Sequence, residues 1–127
     1  MTKKILYIGA IDGAITGLVQ GELEDSEFEF SNVYTEEEVK RELSQGGYEG
    51  VFFETLQIGK SSLDDYCGGG LDLVASTCES GLPVMVMSGA GFDILEKAQE
   101  LGARRVLSKP FRVTEIPKHF REVFGER

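Results

Sequence analysis

The sequence has no tryptophan, only three prolines, two cysteines and a single histidine. Each scarcity excludes something. Cys67 and Cys78 stand eleven positions apart, which fits neither a zinc-ligand spacing nor a disulfide framework. Reduced thiols in a cytoplasmic protein are the simple reading. One histidine, His119, cannot build a multi-histidine metal site, and its polar neighbours point to a surface side chain. No apolar stretch approaches the roughly twenty residues of a membrane span. No leader is expected, because Met1-Thr2-Lys3-Lys4 runs into only a short apolar segment. Basic residues are also in deficit, 13 against 22 acidic, for a net charge of −9. That balance argues against direct nucleic-acid binding, in which cationic side chains neutralise phosphates.

What remains is an ordinary globular composition. The 127 residues, 41% of them hydrophobic, suit one domain spanning 1–127 that folds without a disulfide or metal. No repeat, linker or low-complexity tract interrupts it. Five short apolar runs recur: Ile5-Leu6-Tyr7-Ile8, Phe28 to Tyr34, Val51-Phe52-Phe53, Val84-Met85-Val86-Met87 and Arg105-Val106-Leu107. Continuous apolar runs predict strands buried on both faces, as in a parallel sheet.

Amphipathic stretches separate the runs. Ala14, Ile15, Leu18 and Val19 make a first helical stripe. Thr35 and Glu38 form a capping box, each side chain bonding the other's amide, before Val39 and Leu43; Gly46-Gly47 ends that helix. Leu71, Val74, Ala75 and Cys78 make a third stripe, closed by Gly81 and Pro83. Ile94, Leu95, Ala98 and Leu101 make a fourth, closed by Gly102. Ile116, Phe120, Val123 and Phe124 make the fifth, with Thr114 as its expected cap and Pro117 in its first turn. Strand and helix thus alternate five times, which predicts a doubly wound three-layer α/β sandwich around a five-stranded parallel sheet. Ligands of such folds bind at the carboxyl ends of the strands. The residues just after each strand therefore matter most.

The glycine-rich turn after the first strand, "YIGAIDGAITG", invites a phosphate-loop reading, but it fits neither template. A P-loop needs a lysine and a hydroxyl after its last glycine, and Gly9, Gly13 and Gly17 recur every four residues rather than as Gly-x-Gly-x-x-Gly. Gly13 and Gly17 are expected to let the first helix approach the sheet. Other candidates also have plain readings. Asp64-Asp65 could bind a cation, but an exposed acidic turn is the expected reading, and Cys67 has no basic neighbour to activate it. "TEEEVKREL" is a solvated face, and the aperiodic loop 55–70 is long enough to be functional.

The strand ends carry a pattern that can be compared with known ones. "LPVMVMSGAGFDILEKAQELGARRVLSKPF" resembles the second half of the response-regulator receiver domain of two-component phosphorelay signalling, and the five-fold alternation extends the resemblance over the whole chain. The resemblance implies a flavodoxin-like fold. In that family two acids after strand one and an aspartate after strand three hold Mg2+, and the aspartate accepts a phosphoryl group. A hydroxyl residue after strand four and a lysine after strand five then contact the phosphoryl oxygens.

Carried over position by position, Ser88 matches the hydroxyl residue and Lys109 the lysine. The phosphoacceptor position falls on Glu54, the acid pair on Gly9 and Ala10, and the switch aromatic on Val106. The acid pair, acceptor and aromatic therefore all depart from the pattern. The extra methylene of Glu54 displaces its oxygens by about 1.5 Å, a carbon–carbon bond length, enough to spoil in-line transfer. The resemblance thus implies an atypical receiver, or pseudo-receiver: not an enzyme, with no cofactor and no bound Mg2+ expected. Glu54 either mimics a phosphorylated aspartate toward Lys109 and Ser88 or forms a plain ion pair there.

Two alternatives stay open. One is a phosphoacceptor using Glu54 or the nearby Asp12; the other is a flavodoxin-like module binding a small ligand in the corner left by Gly9 and Ala10. As a signalling module the chain is expected to meet protein partners, with a homodimer as the simplest case, and neither nucleic acid nor membrane. The expected contact face is Phe92 to Leu101, Arg104 to Leu107 and Thr114 to Phe124, with basic character from Arg104 and Arg105.

Overall fold

The computed structural model of the chain describes residues 3–9, 14–24, 26–33, 35–54, 73–88, 92–108 and 113–125. For 14–16, 88, 92–94, 108 and 113 the description is of the backbone. Five strands form one sheet: β1 Lys3–Ile8, β2 Phe28–Val33, β3 Gly50–Phe53, β4 Val84–Ser88 and β5 Arg105–Ser108. All pairings are parallel, in the order β2-β1-β3-β4-β5. The helices are α1 Ala14–Glu22, α2 Glu36–Gln45, α3 across 73–79, α4 Phe92–Glu100 and α5 Ile116–Phe120. A 3-10 turn, Val113–Glu115, precedes α5, and a π turn, Arg121–Gly125, continues it. This is the doubly wound α/β sandwich that the alternation predicts. Among the described residues no helix is long and apolar enough to cross a membrane.

Successive strand residues point to opposite faces, and the two faces have different chemistry. Leu6, Ile8, Val33, Val51, Phe53, Val84 and Val86 meet Val39 of α2, Leu73 and Val74 of α3, and Leu95 and Ala98 of α4 in a mainly aliphatic core. Ile5, Tyr7, Phe28, Phe52, Met85 and Met87 meet Val19 of α1, Leu23 just after it, Ile116 and Phe120 of α5, and Val123 and Phe124 of the π turn. This second core is aromatic. Phe120 stands edge-on to Phe52 and Phe124 at 5.0 Å each and to Phe28 at 5.4 Å, geometries that suit the ring quadrupoles.

The capping box forms as the sequence predicts. Glu38 N donates to Thr35 Oγ1 at 3.2 Å and Thr35 N to Glu38 Oε1 at 3.1 Å. Gly46 and Gly47 follow α2 at φ 79° and 94°, a region that glycine enters without strain.

Several sequence expectations are corrected. Leu18 is 57% exposed and Leu101 40%; α1 turns Val19, not Leu18, to the sheet, and Leu23 joins the same core from just after the helix. Gly17 is exposed, and an added Cβ would meet no atom within 4 Å; it does not serve close packing. Gly50 does, since its added Cβ would stand 2.6 Å from Phe124 Cε1. Thr114 does not cap α5: the chain enters through the 3-10 turn, the N-cap residue is Glu115, and it makes no side-chain cap. Leu71, Gly13, Cys67, Asp64-Asp65 and the loop 55–70 lie outside the described residues.

Candidate functional site

The strand order creates the site. From β1 the chain moves to one side to build β2, then crosses to the other side to build β3, β4 and β5. A crevice forms where such a sheet reverses direction, beyond the carboxyl ends of the strands on either side of the reversal, here β1 and β3. Gly9 and Glu54 occupy those two ends. Both are buried. Their backbones prolong the sheet ladder past the last strand residues: Gly9 N donates to Val33 O at 3.1 Å, and Glu54 N to Ile8 O at 2.8 Å. The corner is therefore a main-chain extension of the sheet.

Glu54 is 0% exposed. Taking a carboxylate fully out of water is costly unless donors or cations meet it, so its burial marks it as part of a built arrangement. Beside it the sheet continues in register, with Phe53 opposite Val86, Val86 opposite Val106 and Ser88 opposite Ser108. Ser88 is thus the last residue of β4, and position 109 directly follows β5. The fold brings the ends of β1, β3, β4 and β5 side by side. Ala10, Asp12 and Lys109 lie outside the described residues, as does the side chain of Ser88.

Val106 sits mid-strand in β5, half-buried and packed against the aliphatic core. A β-branched side chain has one stiff rotatable bond here, so this position has no ring that could swing between an inward and an outward pose.

A second cluster, which sequence reasoning missed, lies where β5 meets the last helix. Nη1 of Arg105 is 2.9 Å from Nδ1 of His119 and forms an ion pair with Oε1 of Glu122. His119 is half-buried rather than a free surface side chain. Burial, and then the Arg105 charge, hold its pKa below the ordinary histidine value. The hydrogen bond from Arg105 holds the Glu122 carboxyl below the usual carboxylate range. The cluster also corrects the expected basic character of this face. Arg105 is matched by Glu122, and the exposed Lys97, Arg104, Lys118 and Arg121 stand among the exposed Glu96, Glu100 and Glu115. The described face is near charge balance in a chain of net charge −9.

On the opposite flank, buried Tyr48 donates to Glu42 Oε1 at 2.6 Å, and Lys4 Nζ lies 5.1 Å from the centre of its ring. Burial and this carboxylate partner raise the Tyr48 pKa. The half-buried Cys78 thiol is likewise pushed up by burial, which makes it a poor nucleophile.

No protein-family model and no curated protein matches the chain. Solved structures do. A response regulator from Thermotoga maritima superposes with a TM-score of 0.78 at 20% identity, covering 99% of this chain and 100% of that one. A CheY-like receiver domain protein from Methanospirillum hungatei JF-1 gives 0.76 at 18% identity, covering 96% and 93%. A response regulator protein from Burkholderia pseudomallei, solved with a phosphorylated aspartic acid and a calcium ion, gives 0.69 at 21% identity, covering 94% and 72%. The chain has the fold of response-regulator receiver domains over nearly its whole length.

Proposed function

We propose that this chain is a receiver-like signal-transduction module that acts by protein–protein contact and is not phosphorylated in the usual way. The observation that carries the reading is the corner itself: the receiver fold holds a fully buried glutamate after β3 and a glycine after β1. Phosphoryl transfer to a carboxylate depends on metal and donors that neutralise the incoming charge. Mg2+ takes near-octahedral oxygen ligands and keeps several waters. Gly9 supplies no side-chain oxygen, and the only carboxylate in the described corner, Glu54, has no surface open to a hydrated ion. The described residues do not fit the metal. The sequence adds that the second acid position is Ala10 and that the acceptor carries one methylene too many.

With the chemistry removed, what such a fold still offers is surface. The face made by α4, β5 and α5 is the partner site in this reading. Its near balance of charge suits contact with a second copy of an acidic chain better than the rest of the molecule does, because like-charge repulsion is least there. Glu54 is a structural carboxylate in this reading, holding the strand ends toward the Lys109 position.

Intact mass after incubation with Mg2+ and a small phosphodonor tests the proposal. An unchanged mass is expected, and a stable adduct of one phosphoryl group would overturn it. A thermal shift with nucleotides or flavins would equally replace it by the small-ligand reading. Glu54→Gln separates the two roles of that residue: unchanged partner affinity fits the structural carboxylate, whereas a loss of affinity would make it a phosphate mimic.

A further inference from the structure

The Arg105–His119–Glu122 cluster has a property that follows from donor and acceptor chemistry. A guanidinium carries only donors and stays charged at any pH a protein tolerates. At 2.9 Å from Arg105 Nη1, His119 Nδ1 must therefore be the acceptor. This requires the neutral ring with its proton on Nε2. An imidazolium has no acceptor, and it would place a second cation at hydrogen-bond distance from the first.

Other charges facing the ring come from each neighbouring element. Arg105 of β5 and Lys118 of α5 oppose protonation; Glu122 of the π turn and Glu115 of the 3-10 turn favour it. Burial adds to the opposition, and the net effect keeps His119 neutral at neutral pH.

We propose that Arg105, His119 and Glu122 form a proton-sensitive clasp between β5 and the last helix. A proton from solvent adds to Nδ1 of His119, the hydrogen bond from Arg105 is lost, and the ring leaves the guanidinium. Glu122 alone then links β5 to the π turn. The last helix thereby passes from two ties to one. The clasp lies on the face assigned above to partners, so acid would alter docking there. That consequence rests on the functional reading; the clasp itself does not.

His119 is the only histidine in the chain, so its imidazole resonances are assigned without mutagenesis. Long-range proton–nitrogen spectra of the whole chain are expected to show the Nε2-protonated tautomer at neutral pH. On acidification His119 should titrate below about 6.5, the ordinary histidine value, and the side-chain resonances of Arg105 should move with the same midpoint. A Glu122 transition should follow at lower pH. In His119→Gln the amide oxygen still accepts from Arg105 but cannot titrate, so the first Arg105 transition should vanish while the second remains. In Arg105→Gln the His119 midpoint should rise. An Nδ1-protonated tautomer, a midpoint at or above 6.5, a motionless Arg105 or an unaltered transition in His119→Gln would each overturn the clasp. All these readouts are taken without a partner or phosphodonor, so they stand or fall separately from the signalling proposal.

Discussion

Gly50 lies directly against the Phe124 ring: a Cβ at position 50 would stand 2.6 Å from Cε1 of Phe124 and 3.2 Å from Cδ1 of Ile5. This contact seats the π turn on the start of β3. Gly50→Ala should therefore destabilise the fold by about 1–3 kcal/mol, the usual cost of overpacking a core. Urea denaturation measures it. Phe124→Leu removes the ring, so the double variant should be less destabilised than the sum of the two single ones. Strict additivity would show that the ring yields without cost.

Gly17 and Gly21 make the opposite case. Both lie inside α1, neither has a positive φ, and a Cβ at either meets open space. Helix-interior glycine costs about 0.5–1 kcal/mol relative to alanine. Gly17→Ala and Gly21→Ala should each raise stability by about that amount, read as an upward shift of the denaturation midpoint.

The capping box of α2 should be worth about 1 kcal/mol. Thr35→Ala removes the acceptor for the Glu38 amide, and caps of this type cost about that much when truncated. Thr35→Ser keeps the hydroxyl and should restore most of the loss in the same thermal or chemical melt.

Folding stability should fall on mild acidification. His119 titrates lower in the folded chain than in the unfolded one, so near the ordinary histidine pKa the unfolded state binds more protons. Stability then rises with pH through this window. The contribution is fully present above about 6.5 and is lost as pH falls through the folded-state pKa. Glu122, held low by Arg105, adds a second loss at more acidic pH. In His119→Gln the first decline should disappear from a series of denaturation curves taken between neutral and mildly acidic pH.

Much of this molecule can be read along the chain, because much of it is local. Runs such as Val84 to Met87 announce buried parallel strands, and Thr35 with Glu38 announces a helix start. The strand ends inherit that clarity, since Gly9 and Glu54 simply follow their strands. Helical facing is less legible. Ala14, Ile15, Leu18 and Val19 are all apolar at helical spacings, and only the sheet decides that Val19 packs while Leu18 points to water. What stays hidden is what distance in sequence hides. Gly50 with Phe124, and Arg105 with His119 and Glu122, are ordinary residues until the fold brings them together. Thr114 shows another limit: a good capping residue was available, but the chain took a 3-10 turn at that point.

The unequal chemistry of the two cores has an optical consequence. The chain has no tryptophan, so its near-ultraviolet signals come from tyrosine and phenylalanine. Among the described residues each face of the sheet holds one buried tyrosine. Tyr7 sits edge-on to Phe30 and Phe52 under α1 and α5, and Tyr48 sits among aliphatic side chains beside Glu42. Loosening of the last helix should reach the observer through Tyr7, while Tyr48, which also ionises late, reports on the far side. Tyr7→Phe and Tyr48→Phe would silence these reporters one at a time, so that an unlabelled sample can tell which half of the sandwich gives way first.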